Sequence, residues 1–342
     1  MFLWSLGLCA VVLVWCISVL WCDVQSASFL QEKGSIMEVV FFTNFFACIV
    51  TTAACLLLRV TSWSDLKYIA VSLYENTLTW RLLLSVACVN VLALSLMFSS
   101  FTLAGMTHAY AVKTTEPLLM CLLSTECMQR GIRRILDKGR TGKNLHGEEE
   151  DYPISTKIIT IDTWFSVMLV CIGAFLTSSS LKRTTTDHSL SLTTLMFAYC
   201  LIFASNAALA LRTTLMKPLL HLVPDCGVVL ASCAIHIFMS LLGSLILMVP
   251  TFLNKGKYIV EYDKETWKRI AVIGASYGVY QFCNGMVLFN VIPLAYSILK
   301  QIRVVIIFFF SAYYFGKEFE SVLQLAVGLT FLAIGSYRYA AH

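Results

Sequence analysis

Residues 295–310 read AYSILKQIRVVIIFFF. The run is apolar enough to cross a membrane, yet it carries Lys300 and Arg303. Three positions apart, the two cations share one helix face. Each such charge near a bilayer centre costs roughly 2.5–3.5 kcal/mol on insertion scales. The nearest acids in the sequence, Glu318 and Glu320, lie beyond the end of the run. Charged side chains at membrane depth face a protein interior or a wet cavity rather than lipid. The stretch therefore predicts a cationic, water-filled site inside a helical membrane protein.

The rest of the chain agrees. Of its 342 residues, 58% are hydrophobic and 13% charged, where a soluble domain averages about 25% charged. Mean hydropathy is +0.77, which leaves little room for a soluble domain. The net charge of +5 is split between one loop cluster and isolated intramembrane positions. No aromatic-basic strip lies outside the spans, so nucleic acid is not expected as a partner. The 13 cysteines fall mostly inside apolar runs and form no CxxC, the pattern of small hydrophobes rather than of metal or redox chemistry. Neither a metal nor a cofactor is expected. The N-terminal run MFLWSLGLCAVVLVWCISVLW lacks a basic n-region and a cleavage site, and reads as a retained span rather than a signal peptide.

Apolar windows place spans near residues 2–21, 37–58, 82–101, 103–127, 157–176, 190–216, 226–252, 269–290, 292–315 and 321–340. The expected fold is all-α and integral to the membrane: ten transmembrane helices in two inverted five-helix repeats around a central cavity. Residues 1–176 form the first repeat and 177–342 the second. Near-contiguous spans meet at 101–105 and 290–293, which predicts two tight helical hairpins. The stretch 128–156 holds a basic cluster and then an acidic one, and reads as a cytoplasmic loop under the positive-inside rule. With ten spans both termini then fall in the cytosol. The two halves echo each other: AYAVK at 109–113 and AYSILK at 295–300 each lie in the fourth span of their half. Inverted repeats of this kind build many secondary transporters.

Intramembrane ionisable residues are few: Lys113, Glu116, Arg212, Lys300 and Arg303. Four cations against one acid leave a surplus of positive charge that suits an anion. Arg offers a bidentate fork to phosphate and Lys a point charge. Lys113 and Glu116, three apart, either neutralise each other or share the site. Arg212 either belongs to the site or snorkels to water beside Lys217. His108 and His236 stand alone on apolar faces, as satisfied core histidines or as ligands. Tyr280 and Asn284, four apart, share a face and hydrogen-bond either a solute or neighbouring helices.

These residues carry a resemblance. Tyr110 to Pro117, YAVKTTEP, resembles the H-x-I-K-x-x-E-P segment of the triose-phosphate translocator and nucleotide-sugar transporter branch of the drug/metabolite transporter superfamily. Ser205-Asn206 with Arg212 and Lys217 resembles its S-N-x(5)-R-x(4)-K segment. Tyr280 to Asn284, YQFCN, resembles Y-H-x-Y-N. Pro293 to Ser297, then Arg303 to Ile306, resembles P-x-T-H-S followed by K-R-V-V. The resemblance covers spans three to ten. It implies phosphate-gripping roles for Lys113 and Arg303 and a substrate contact for Tyr280, with Tyr110, Lys300, Asn284 and Arg212 as further candidates. The chain departs from the pattern at Val304, which replaces the second base, and at Lys300, where the family often has Asn. It departs again at Leu94, in the place of a histidine, and in the first span, which lacks an Asn-Lys pair.

The function expected is a secondary-active antiporter. It would exchange a nucleotide sugar or sugar phosphate for nucleoside monophosphate or inorganic phosphate, in the Golgi or endoplasmic reticulum membrane. An enzyme would need an acid pair, a histidine cluster or an activated nucleophile, and no such spacing occurs. The alternative is a non-transporting scaffold or receptor that keeps the transporter fold. The expected partners are the anionic phosphorylated solute and the lipid bilayer; a homodimer is left open.

Overall fold

The computed structural model describes residues 35–57, 61–125, 159–180, 192–222, 227–255, 263–314 and 321–341, with 14–19, 21–22, 25–26 and 30 near the N-terminus. Among these residues every regular element is helical. In order they are α1 Ile36–Leu57, α2 Trp63–Glu75, α3 Thr77–Lys113, α4 Glu116–Leu123 and α5 Ile161–Ser179, then α6 Leu192–Leu222, α7 Val228–Lys255, α8 Lys264–Asn290, α9 Pro293–Tyr314 and α10 Val322–Ala341. Residues 14–19 are helical as well. Among the described residues, six stretches are long and apolar enough to cross a membrane: Ile36–Leu57, Thr77–Leu103, Ile161–Ser179, Leu192–Leu222, Val228–Leu253 and Val322–Ala341. The molecule is an all-helical fold of the multi-pass membrane type.

These six match the sequence spans near 37–58, 82–101, 157–176, 190–216, 226–252 and 321–340. The span near 2–21, the loop 128–156 and the acids Glu318 and Glu320 lie wholly or mostly outside the described residues. Helix α8 stands outside the apolar group because Lys264, Glu265, Lys268 and Arg269 fill its first turns and the buried Gln281 and Asn284 interrupt its apolar run. The span expected near 103–127 is interrupted. Helix α3 ends at Lys113, Thr114 and Thr115 form a turn, and α4 restarts at Glu116 with Pro117 in its first turn. Proline lacks an N–H and fits the first turn of a helix, not its interior.

Local sequence explains several boundaries. Ser62 and Asp65 form a reciprocal capping box at the start of α2. Asn76 accepts from the Leu78 and Thr79 amides to begin α3, and Asp263 accepts from Thr266 to begin α8. Between α8 and α9 only Val291 and Ile292 intervene, and Pro293 opens α9, as the break at 290–293 predicts.

The other expected hairpin takes a different form. It falls inside α3, which is not straight. Ser205 and Asn206, adjacent on α6, reach Ala93 O at 2.8 Å and Val112 O at 3.1 Å. Lys113 Nζ lies 3.2 Å from Met97 Sδ, where a straight helix would separate those positions by about 24 Å of rise. The limb of α3 that ends at Leu103 and the limb that begins at Ala109 therefore lie side by side, and both pack on α6.

Small residues let other helices approach closely, as is usual where lipid supplies no hydrophobic drive between helices. A Cβ on Gly328 of α10 would stand 2.6 Å from Thr177 Oγ1 and 2.8 Å from Thr177 N of α5. A Cβ on Gly335 would stand 2.8 Å from the Ser166 carbonyl and the Val170 amide. On α8, Gly274 and Gly278 seat against Phe46, Ala47 and Thr51 of α1. Large apolar side chains such as Phe165, Phe175, Phe203, Leu245 and Val249 point outward, the surface a lipid-facing helix presents.

Candidate functional site

The polar side chains of α8 and α9 meet those of α3, α4 and α6 in the interior. Asn90 is the pivot. Its Nδ2 donates to the Tyr277 hydroxyl at 3.1 Å, and its Oδ1 accepts from Arg212 Nη1 at 2.6 Å. Gln281 Nε2 also donates to the Tyr277 hydroxyl. Asn284 Nδ2 donates to Gln281 Oε1 at 3.1 Å, and the Tyr296 hydroxyl donates to Asn284 Oδ1 at 2.6 Å. Six side chains from α3, α6, α8 and α9 thus form one continuous hydrogen-bonded chain. Buried polar groups survive in an apolar interior when they are satisfied in this way.

Beside this chain sits an ion pair. Lys300 Nζ bonds Glu116 Oε1, with both side chains almost fully buried. Lys300 also lies 5.4 Å from the centre of the Tyr296 ring. The pairing corrects the sequence expectation for Lys300, which has an acid although none lies near it in the chain, and decides an alternative left open: Glu116 pairs with Lys300 rather than with Lys113. Lys113 is half-buried, with its ammonium 5.1 Å from the Tyr110 ring centre, and makes no ion pair among the described residues.

Arg303 is 2% exposed. Its Nε and Nη1 have no hydrogen-bond partner. Two rings flank the guanidinium, Trp15 at 4.3 Å and Tyr280 at 5.2 Å. Arg212, also 2% exposed, leaves its Nε unpartnered. It does not snorkel to water. Lys217 does something separate: its Nζ donates to the Leu288 and Phe289 carbonyls at 2.9 and 2.6 Å, neutralising the C-terminal end of α8.

The seven candidate residues converge. Tyr280 lies within electrostatic reach of Arg303, Lys300, Arg212 and Lys113. Tyr110 stacks on Phe101 at 6.2 Å and lies within reach of Arg303. Asn284 belongs to the internal chain rather than standing free. Leu94, in the place of the family's histidine, is buried in the apolar core. His236 is buried with neither ring nitrogen partnered, beside Ser232 across from Gly285. The side chain of His108 lies outside the described residues.

Sequence reasoning passed over Asn90, Tyr277, Gln281 and Trp15. Asn90 carried a signal, as a lone amide in the middle of the apolar run VACVNVLAL. Trp15 carried none, since tryptophan is ordinary in an apolar span.

No family model matches the chain, and no curated protein matches it. Among solved structures, a chain described only as "Crystal structure of protein" superposes with a TM-score of 0.61 at 12% sequence identity, covering 97% of this chain and 98% of that one. Agreement over almost the whole of both chains at so low an identity establishes a shared fold and nothing about activity.

Proposed function

We propose that the protein is a secondary-active antiporter of the triose-phosphate translocator and nucleotide-sugar transporter type. It exchanges a phosphate-bearing solute, a nucleotide sugar or sugar phosphate, for nucleoside monophosphate or inorganic phosphate. One observation carries the reading: Arg303 is buried with two guanidinium nitrogens unpartnered, where Arg212, Lys300 and Lys113 also converge. A buried donor without an acceptor is costly, and a phosphate oxygen is the acceptor that a guanidinium fork fits best. Discounting the Lys300–Glu116 pair, three cations remain for a dianion. An empty cationic interior is expensive to carry through an occluded state, so exchange is favoured over uniport.

The proposed frame is ten spans in two inverted five-helix repeats around a central cavity. Its support is a set of contacts. Helix α1 packs on α7, α4 on α9, and α5 on α10. In the proposed repeat these are the second, fourth and fifth spans of each half meeting their counterparts, as elements near a two-fold axis do. Membership of the Golgi or endoplasmic reticulum membrane, with both termini in the cytosol, is part of the same proposal.

The test is counterflow in liposomes. Purified protein with internal unlabelled phosphate or nucleoside monophosphate should accumulate the labelled species, and empty liposomes should not. A protein that incorporates and binds neither anion in a thermal-shift screen would instead be a scaffold that keeps the fold.

A further inference from the structure

Resting on that reading, we propose that Trp15 is a positioning residue for the anion site: its indole face holds the Arg303 guanidinium in place and leaves the arginine Nε and Nη1 free for phosphate. The helical segment 14–19 is apolar in sequence, yet it delivers one large side chain to the charged interior. Trp15 is 1% exposed. Its ring centre stands 4.3 Å from Arg303 Cζ and 5.7 Å from the Tyr296 ring, at an interplanar angle of 29°. Tyr280 contributes a second ring at 5.2 Å from the same guanidinium.

The chemistry explains why rings and not carboxylates surround this cation. The face of an aromatic ring attracts a cation through its quadrupole and accepts no conventional hydrogen bond. A carboxylate would bind the guanidinium by both nitrogens and compete directly with the ligand, as Glu116 does for Lys300. The ring offsets part of the burial cost of Arg303 while Nε and Nη1 stay unpartnered. Trp15 in turn is braced by Tyr296, whose hydroxyl is tied to Asn284 at 2.6 Å. The polar chain on α8 therefore reaches Arg303 through two stacked rings. A phosphate that takes the guanidinium edge alters the field at the indole, so Trp15 also reports occupancy.

The experiment uses full-length protein and inorganic phosphate as the probe. Phosphate–phosphate exchange is measured in liposomes at matched incorporation for the wild type, Trp15→Phe and Trp15→Leu, with tryptophan emission recorded against phosphate concentration. Loss of the cation–π contact in Trp15→Leu should raise KM for phosphate roughly tenfold with little change in maximal rate. Trp15→Phe keeps a smaller ring and should fall between. The wild type should show a saturable emission change that Trp15→Phe lacks. An unchanged KM in Trp15→Leu overturns the inference while the anion-site reading stands. If that variant does not incorporate, a full emission change in Trp15→Phe overturns it instead. A wild type that neither exchanges nor is stabilised by phosphate removes the anion-site reading and this inference together.

Discussion

Lys300 and Glu116 lie 184 positions apart and form a buried ion pair that joins α9 to the start of α4. The pair sets the charge of the interior. Without it the cluster would carry four cations and one uncommitted acid. With it, one cation is spoken for and Arg303 is left with free donors.

Breaking this pair from one side should cost stability. Glu116→Gln leaves Lys300 buried and uncompensated, at about 3–5 kcal/mol for a buried pair broken on one side. Lys300→Met leaves the acid stranded at similar cost. The double variant Glu116→Gln/Lys300→Met removes both charges and should recover most of the loss, since buried pairs are often replaceable by apolar groups. Thermal unfolding of the four proteins in one detergent measures the coupling. Single-variant losses that simply add would mean the two residues do not interact.

Asn90 holds Arg212 by its Oδ1 and Tyr277 by its Nδ2. Asn90→Leu fits an apolar helix but orphans a guanidinium nitrogen. The expected loss is about 1–3 kcal/mol for a buried group left unsatisfied, read as a lower unfolding temperature. Asn90→Asp keeps an acceptor for Arg212 and should be the milder substitution in the same assay.

The close contact between α5 and α10 gives a steric prediction. Gly328→Ala places a methyl 2.6 Å from Thr177 Oγ1 and 2.8 Å from Thr177 N, so one helix must shift. Overpacking of this kind costs typically 1–3 kcal/mol. Gly227, whose added Cβ would meet nothing within 4 Å, is the control, and Gly227→Ala should unfold with the wild type. Equal unfolding temperatures for the two variants would refute the packing account.

Outside the apolar spans, Asp65 is held below its usual carboxylate range, chiefly by hydrogen bonds from the Ser62 side chain and then the Ser62 amide. A depressed folded-state value means the contribution is present above the unfolded value and fades as pH falls through the folded one. The first turn of α2 should therefore fray only in acid, below about pH 4. Amide exchange of residues 63–66 checks this. Asp65→Asn should fray the turn at neutral pH and remove the pH dependence.

The fold was legible where one pattern was long and local. The 18-residue windows found the six apolar helices, and the Val291-Ile292-Pro293 break told where α9 begins. The site was legible in part for the same reason: Lys300 and Arg303 are three apart and Tyr280 and Asn284 four apart, so each pair shares a face whatever the neighbours do. What could not be read was which face meets which. Glu116 is three residues from Lys113 and 184 from Lys300, and only the packing of α4 on α9 decides between them. The reversal within α3 lies where the near-contiguous spans meet in sequence, at 101–105. Trp15 was invisible because a tryptophan facing lipid and one facing a cation have the same neighbours in sequence.

Arg303 is where the proposed function is most exposed to failure. Arg303→Ala removes two unpartnered donors and a buried charge together, and leaves Trp15 and Tyr280 facing a gap. The loss of a charge-assisted contact to a desolvated phosphate should cost on the order of 2–5 kcal/mol, tens- to thousands-fold in affinity. Exchange should fall below detection. Arg303→Lys keeps the charge but not the planar fork, and should retain part of the rate with a raised KM. Lys113→Ala should weaken exchange too, because Glu116 is committed to Lys300 and Lys113 has no acid partner among the described residues. Lys300→Ala should differ in kind: it strands Glu116, so reduced incorporation should accompany any loss of rate. The readout is the initial exchange rate in liposomes, normalised to incorporated protein. Near-wild-type exchange by Arg303→Ala would mean that phosphate is held elsewhere, and the aromatic cradle around that guanidinium would then be only a way of burying a charge.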